Sequence, residues 1–522
     1  MTDTHQARGA DALLASLVDN GVCVCFANPG TTELDLVRAL ERQDGMRGFI
    51  GLQENVCTGA ADGYGRMTGK PACTLLHLGP GFANGIANLH NARRARTPIV
   101  NLVGDHTSWH LPFDAPLTSD IESLATPVSG WVHRITSVAD AAPAARAAVR
   151  ASLARGGQGA TLIVPADFQY GLSTGAPTTR VASAPARQAG SAFDLAACAR
   201  RLEAAGNIVF LLGGGGDASG LGVRAQQATA RLCAALGARA YAETFPSRAE
   251  RGQGLPDFDR LPYFPEPARA ALDPADVVVL AGALPPVTYF GYEGHASALV
   301  EADRLLALSA PGEDAASRLE QLADHLQAPA LAASGATLPA WDDGALTPPG
   351  IAAVLAHELP AQAIVSVEGG TCGYPFYAAS AAARPHTTLT NTGGAIGQGL
   401  PVAMGAAVAC PDRKVVALVS DGSTQYTIQT LWSMAHEALD IVVLVAANHQ
   451  YAILRNELRR GNATLGEKAA AMTSLDKPRI DWVTLAQAYG VPGSRVGTTR
   501  ELQSRLQQAF AQRGPRLIEM AL

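Results

Sequence analysis

The chain alternates short, unbroken apolar runs with longer stretches in which apolar residues recur every three or four positions. The runs "VCVCFANPG", "ACTLLHLGPG", "IVNLVGD" and "TLIVPAD" fall in the first third, "NIVFLLGGGG" and "DVVVLAGAL" in the middle. "AIVSVEGG", "VVALVSDG" and "IVVLVAANHQ" fall in the last third. Each ends in Gly, Pro, Asn, Asp or a short polar cluster. Runs of this kind, separated by helical periodicity, predict parallel strands covered by helices on both faces. In such sheets ligands collect outside the carboxyl ends of the strands. The residues just after each run are therefore the place to look for chemistry.

Two segments interrupt the pattern, "GLSTGAPTTRVASAPARQAGSAFD" (Gly171–Asp194) and "APALAASGATLPAWDDGALTPPG" (Ala328–Gly350). Both are rich in Ala, Ser, Thr, Gly and Pro and read as linkers. They divide the chain into 1–175, 190–330 and 345–522, each with its own strand–helix alternation. The fold class expected is α/β, with three doubly wound parallel-sheet domains.

Composition narrows the partners. The 522 residues are 48% hydrophobic and 16% charged with 53 Gly, which suits a core-rich α/β protein and excludes a largely disordered one. The net charge of −6 and the lack of a basic run argue against nucleic acid. Met1–Ala10 has no apolar h-region, and no apolar run approaches the roughly 20 residues that span a bilayer, so no membrane is expected. The 8 cysteines include no CxxC pair. Reduced core thiols in a cytoplasmic protein are expected.

The segment "SDGSTQYTIQTLWSMAHEALDIVVLVAANHQ" (Ser420–Gln450) carries the sharpest chemical signal. Ile428, Leu431, Trp432, Ala435 and Leu439 recur at helical spacing between two apolar runs, so it reads strand–turn–helix–strand. Asp421 ends one strand and Asn448 the other, 27 positions apart, enough for a helical crossover that sets the two ends side by side. One carboxylate, one amide oxygen and a nearby backbone carbonyl suit Mg²⁺, which completes its shell with water and phosphate oxygens. That set implies a diphosphate ligand. Backbone N–H groups of Gly422 and Ser423, at a helix N-terminus, could hold it, and "EGGTCG" (Glu368–Gly373) offers a second such turn with Gly370 and Thr371. Polar strand caps and ordinary turns are the alternative reading of each element.

Taken together these residues resemble the cofactor motif of thiamin-diphosphate-dependent enzymes, a Gly-Asp-Gly followed at this distance by an Asn pair. Ser420 stands for the first Gly and Ala447 for the first Asn, while Asp421 and Asn448 are kept. The resemblance implies Asp421, Asn448 and the Gln450 carbonyl as Mg²⁺ ligands, with Tyr451 beside them. It also implies a glutamate that engages N1′ of the aminopyrimidine. "GFIGLQENVCTGAADGYGRMTGKPA" has the form expected, with Glu54 after a strand and before a helix of small residues; a helix-capping carboxylate is the alternative.

"FANPGTTELDL" (Phe26–Leu36) resembles the loop of benzoylformate decarboxylase that carries a hydroxyl residue, here Thr31. "LLHLGPGFANGIANLHNA" (Leu75–Ala92) places His77 on that enzyme's active-site histidine, but its Gly79-Pro80-Gly81 is similar to acetohydroxyacid synthases. "NTGGAIGQGLP" (Asn391–Pro401) is similar to the loop that bends the cofactor. Gly394 would offer its carbonyl to the 4′-amino group and Ile396 would wedge between the rings. "LLGGGGDASG" (Leu211–Gly220) reads as a strand-end turn, and FAD, which the synthases hold there, is not expected.

The resemblance covers most of the chain, in the order pyrimidine-binding, middle and diphosphate-binding domain. It implies that Glu54 drives formation of the C2 ylide, that a 2-oxo acid loses CO₂, and that the enamine is protonated or captured by a second carbonyl. His77 is the implied proton relay, and His106, after another strand, could face the same pocket. The leading expectation is a non-oxidative 2-oxo acid decarboxylase; an acetolactate-synthase-like carboligase and a non-catalytic cofactor-binding paralogue are the alternatives. A homodimer at minimum, and a homotetramer beyond it, is implied, because the family builds each site from two subunits. The aromatics of "PPVTYFGYEGHAS" (Pro285–Ser297) either reach over the site or pack at the surface.

Overall fold

Three sheets form where the apolar runs predict strands. The first sheet comprises β1 (Val24–Asn28), β2 (Arg47–Ile50), β3 (Ala72–Leu76), β4 (Ile99–Asp105), β5 (Trp131–Arg134) and β6 (Gly159–Pro165). Its order is β2-β1-β3-β4-β6-β5, all parallel. The middle stretch supplies β7 (Ile208–Leu212), β8 (Arg239–Ala242), β9 (Ala249–Arg251), β10 (Asp259–Arg260), β11 (Val277–Ala281) and β12 (Leu305–Ser309). All but β9 form a parallel sheet in the order β10-β8-β7-β11-β12. The third sheet takes β13 (Ile364–Glu368), β14 (His386–Thr390), β15 (Val415–Ser420), β16 (Ile441–Ala447), β17 (Gly493–Val496) and β18 (Arg516–Ala521). Its order is β17-β18-β16-β15-β13-β14-β9. This is a computed structural model, and it describes residues 6–173, 193–330, 335–461 and 464–522. Much of the first linker expected from sequence, and 331–334 of the second, lie outside the described residues. Among the described residues no helix is long and apolar enough to cross a membrane, and all eight cysteines are free.

One strand departs from the expected pattern. β9 leaves the middle stretch and pairs antiparallel with β14, His386 opposite Arg251 and Thr388 opposite Ala249. It covers what would otherwise be an open edge beside the site. Periodicity could not reveal it, because three residues carry no period.

The strand order fixes where chemistry can gather. In the first sheet the chain goes from β1 outward to β2 and then returns to the other side of β1 for β3. In the third it goes from β13 to β14 and returns for β15. Each reversal is a topological switch point, where loops diverge and leave a crevice at the carboxyl ends. Thr31–Glu33 and His77 follow β1 and β3. Gly369–Thr371 and Asp421–Ser423 follow β13 and β15.

The first and third sheets meet through two helices of small residues. Glu54–Thr68 crosses Gly399–Ala409 so closely that a methyl group on Gly405 would stand 1.8 Å from the Ala60 carbonyl oxygen. One on Gly63 would stand 2.1 Å from the Val402 carbonyl oxygen. Both helices are almost wholly buried. The small residues after Glu54 are thus required by backbone-to-backbone packing. Near the end of the crossing, the buried Arg66 guanidinium grips Asp62 at 2.8 and 2.6 Å. It also donates to the Ser247 and Thr390 carbonyls at 3.2 and 2.7 Å, joining all three parts of the chain.

Gly405→Ala has no room to relax, so it should lower stability by about 1–3 kcal/mol, the usual cost of overpacking. The check is a lower urea midpoint at unchanged slope. Gly48→Ala, where nothing lies within 4 Å of the added carbon, should leave the midpoint in place.

Candidate active site

At the carboxyl ends of β15 and β16 the oxygen donors come together. Asp421, 2% exposed, accepts the amide N–H of Gly422 at 2.8 Å and of His449 at 2.6 Å. The Asn448 amide donates to Thr371 Oγ1 at 3.1 Å, and its oxygen accepts the Gln450 N–H at 3.1 Å. This draws in the helix Gly370–Ala379 that follows β13. Burial pushes the Asp421 carboxyl above its ordinary value, against the pull of the two amides and the adjacent His449. His449 occupies the left-handed region at φ +53°, which bends the chain between Asn448 and Gln450. The Tyr451 ring packs on Gly422, where an added carbon would lie 2.7 Å from it.

Ser420 departs from the family pattern, yet the structure accommodates it. Gly369, at φ +105°, gives it room, for a Cβ there would stand 2.1 Å from Ser420 Oγ. Ala447, the second departure, is buried within β16 opposite Ala521. Neither change displaces a donor oxygen.

The loop Asn391–Gln398, between β14 and the helix Gly399–Ala409, is held from both sides. Glu368 at the end of β13, 3% exposed, accepts the N–H of Gly397, Gln398 and Gly399 at 2.8, 3.0 and 2.8 Å. It also accepts the Asn391 amide at 3.2 Å. Burial pushes its carboxyl up, opposed by these donors. From the other side, Asn91 donates to the Ala395 carbonyl at 2.8 Å and Asn88 to the Gly397 carbonyl at 3.3 Å. The Gly394 N–H is held by Asn391 at 2.8 Å, whereas among the described residues nothing donates to the Gly394 carbonyl. Gly394 sits at φ +78°, a conformation that favours glycine. Ile396, two residues on, is half-buried.

A second group lies along the carboxyl edge of β2-β1-β3-β4. Glu54 begins the helix after β2, but Gln53 caps that helix, accepting the Asn55 N–H. The Glu54 carboxylate instead accepts the Asn84 amide at 3.0 Å. His77 caps the helix Leu78–Ala95, and Gly81 fits between it and Glu54, its added carbon 3.3 Å from His77 Cβ and 3.1 Å from Glu54 Oε1. The fully buried Glu33 carboxylate engages His77 Nδ1 at 2.8 Å and the Gly30 N–H at 2.8 Å. That fixes the ring, and its other nitrogen makes no hydrogen bond with the described residues. Thr32 is the hydroxyl that reaches His77, at 3.3 Å, while Thr31 is exposed beside it. His106 packs edge-on to His110 at 5.4 Å, and among the described residues its buried Nε2 has no partner.

The sequence reading missed Glu33, Asn91, Glu368, His449 and the Asn84 that holds Glu54. One signal was available: Asn84, Asn88 and Asn91 recur at helical spacing, a polar stripe with no reason to exist on an ordinary core helix. The Leu211–Gly220 turn uses its glycines for chain crossing. Added carbons on Gly213 and Gly220 would meet the Gly282 and Ala281 carbonyl oxygens at 2.0 and 2.3 Å, and the Gly214 N–H is taken by Glu243 at 2.6 Å.

Oxygen donors thus lie at one switch point and a buried glutamate at the other, and among the described residues the glycine loop leaves one carbonyl without a donor. The chain belongs to the thiamine pyrophosphate enzyme family. Residues 7–127 match its N-terminal TPP binding domain and 368–520 its C-terminal TPP binding domain. A Mycobacterium tuberculosis protein named as an acetolactate synthase large subunit, IlvX, is 48% identical over 98% of this chain and 99% of its own length. Benzoylformate decarboxylase of Pseudomonas aeruginosa is 28% identical, with 96% of each chain covered. The thiamine diphosphate-dependent 4-hydroxybenzoylformate decarboxylase of Rhodococcus jostii RHA1 superposes with a TM-score of 0.84 at 25% identity, covering 99% of both chains. The protein is thus a thiamin-diphosphate-dependent enzyme of the decarboxylase and acetolactate synthase type.

Replacing Glu368 by Ala strands three backbone N–H groups beneath the cofactor loop. Thiamin diphosphate affinity should fall about tenfold or more, in line with the cost of unsatisfied buried donors. Isothermal titration of the folded variant checks this, and unchanged affinity contradicts the role.

Proposed function

We propose that this chain is a non-oxidative 2-oxo acid decarboxylase dependent on thiamin diphosphate and Mg²⁺. The observation that carries the reading is the convergence of Asp421, Asn448 and Gln450 beside the glycine turns of Gly370 and Gly422. The donor set fits the metal: hard oxygens, one formal charge, and positions left for phosphate and water. Asp421, the Asn448 side-chain oxygen and the Gln450 carbonyl would hold Mg²⁺, while Thr371, Gly422 and Ser423 would meet the diphosphate. Gly394 and Ile396 would face the aminopyrimidine. When bound, thiamin diphosphate supplies a nucleophilic carbon and an electron sink for the loss of CO₂.

The chain's own residues do the rest. Glu54, buried and held by Asn84, would hold a proton at the aminopyrimidine N1′. His77, set by Glu33, would relay the proton that completes an aldehyde. Thr31 and His106 are weaker members of this group, Thr31 because it is exposed and makes no side-chain hydrogen bond with any described residue.

Among the described residues no hydrogen bond links Glu54 or His77 to the Asp421 cluster, and the two groups lie on different sheets. The edge carrying Glu54 also exposes Leu34, Ile50, Leu52, Trp109 and Phe113. We therefore read the working unit as a homodimer, and a homotetramer beyond it, each site combining edges from two chains. An acetolactate-synthase-like carboligase is the second reading, favoured by Gly79-Pro80-Gly81 and by the 48% identical relative. A non-catalytic paralogue loses ground because Ser420 is accommodated without loss of a ligand. The free cysteines suit a reducing, cytoplasmic setting.

A panel of 2-oxo acids with thiamin diphosphate and Mg²⁺, scored for CO₂, aldehyde and 2-hydroxy ketone, tests the reading. Aldehyde as main product supports the decarboxylase, hydroxy ketone from pyruvate supports the carboligase, and no CO₂ sinks both. Glu54→Gln should lower turnover by about a hundredfold or more, the scale of proton-transfer catalysis, while keeping part of the cofactor affinity. An undiminished rate would falsify the role of Glu54. Light scattering of the active protein should give at least a dimer; an active monomer contradicts the shared site.

A further inference from the structure

The loop Pro285–Ser297 reaches from the middle sheet to the cofactor loop of the third. Its base is closed by a bridge between Val287 and Ala298 and by the Thr288 N–H on the Ser297 carbonyl at 2.9 Å. Its far end is tied down as well. The Tyr292 hydroxyl meets Glu457 at 3.4 Å, and Arg460 pairs with Glu266 while lying over the Phe264 and Tyr292 rings. Between these anchors stands Tyr289. Its ring is packed by Phe245, Tyr263 and Phe290 with centroids 5.7, 5.0 and 5.0 Å away, so its direction is set by packing on several sides.

The Tyr289 hydroxyl stands directly over Gly394, where an added carbon would be 1.9 Å from it. Gly394 is the residue whose carbonyl is left without a donor among the described residues. The Tyr289 hydroxyl has no hydrogen-bond partner among them either. A packed ring that presents an unpartnered hydroxyl at the edge of a site is a preorganised donor, with little ordering left to do when an acceptor arrives. Burial holds the phenol above its ordinary value, which keeps the proton on the oxygen at neutral pH.

We propose that Tyr289 is a substrate-binding residue that donates its O–H to an oxygen of the 2-oxo acid at the Gly394 turn. The inference rests on the thiamin-diphosphate site described above and deepens it by assigning a substrate contact to the middle part of the chain. It also gives Gly394 a second reason to be glycine, since any side chain there would displace the donor.

The test separates binding from turnover. Full-length Glu54→Gln protein, loaded with thiamin diphosphate and Mg²⁺, is titrated calorimetrically with benzoylformate and with pyruvate, with Tyr or Phe at 289. Phe keeps the ring packing and removes only the hydroxyl. Cofactor affinity should stay within about twofold, and affinity for the preferred 2-oxo acid should fall about tenfold or more, as for loss of a hydrogen bond to a charged group. Three results overturn the proposal: unchanged 2-oxo acid affinity in Tyr289→Phe, no binding of either acid to either protein, or a loss that tracks an equal loss of cofactor affinity. The two readings fail separately. A protein that binds the acid through Tyr289 but releases no CO₂ at Glu54 refutes the decarboxylase and leaves this contact standing.

Discussion

The close crossing of Glu54–Thr68 over Gly399–Ala409 is the constraint on which the rest depends. It brings two parallel sheets from opposite ends of the chain within backbone contact, and only residues without side-chain bulk allow it. Arg66 then locks the crossing with a buried bidentate pair and bonds to carbonyls in the middle and last parts of the chain. A buried guanidinium is costly unless every donor is satisfied, and breaking such a pair costs about 3–5 kcal/mol. The three parts of the chain are thereby fixed against one another.

That fixed geometry carries over to the site. The helix that begins with His77 contacts Glu54 through Asn84, and one and two turns later its Asn88 and Asn91 grip the Asn391–Gln398 loop. Glu368 clamps the same loop from beneath. These bonds engage the N–H groups of Gly394, Ala395, Gly397 and Gln398 and the carbonyls of Gly393, Ala395 and Gly397, whereas nothing among the described residues donates to the Gly394 carbonyl. The loop keeps its bend because these hydrogen bonds hold it from both sides.

The strands with continuous apolar runs were legible from sequence because burial on both faces leaves an unbroken hydrophobic signal. β14, with its threonines, and the three-residue β9 carried no such signal and were found only in the structure. In the site, Asp421, Asn448 and His77 stood out because each follows a legible strand, and Glu54 because its surroundings resemble the family's glutamate motif. Glu33 and Glu368 did not, since a buried carboxylate surrounded by N–H donors looks in sequence like any surface acid. Thr31 was singled out from the loop pattern, but the turn geometry puts Thr32 against His77.

The order of apolar runs and the polar residues ending them determined, by themselves, the α/β class and the placing of candidate ligands at the strand ends. Strand burial and ligand type are local properties, written within a few residues. Only the tertiary structure decided which residues share a crevice, because strand order and helix crossing join positions hundreds apart. It also decided that Ser420 is tolerated, since the room for it comes from Gly369, and that a tyrosine of the middle loop stands over Gly394.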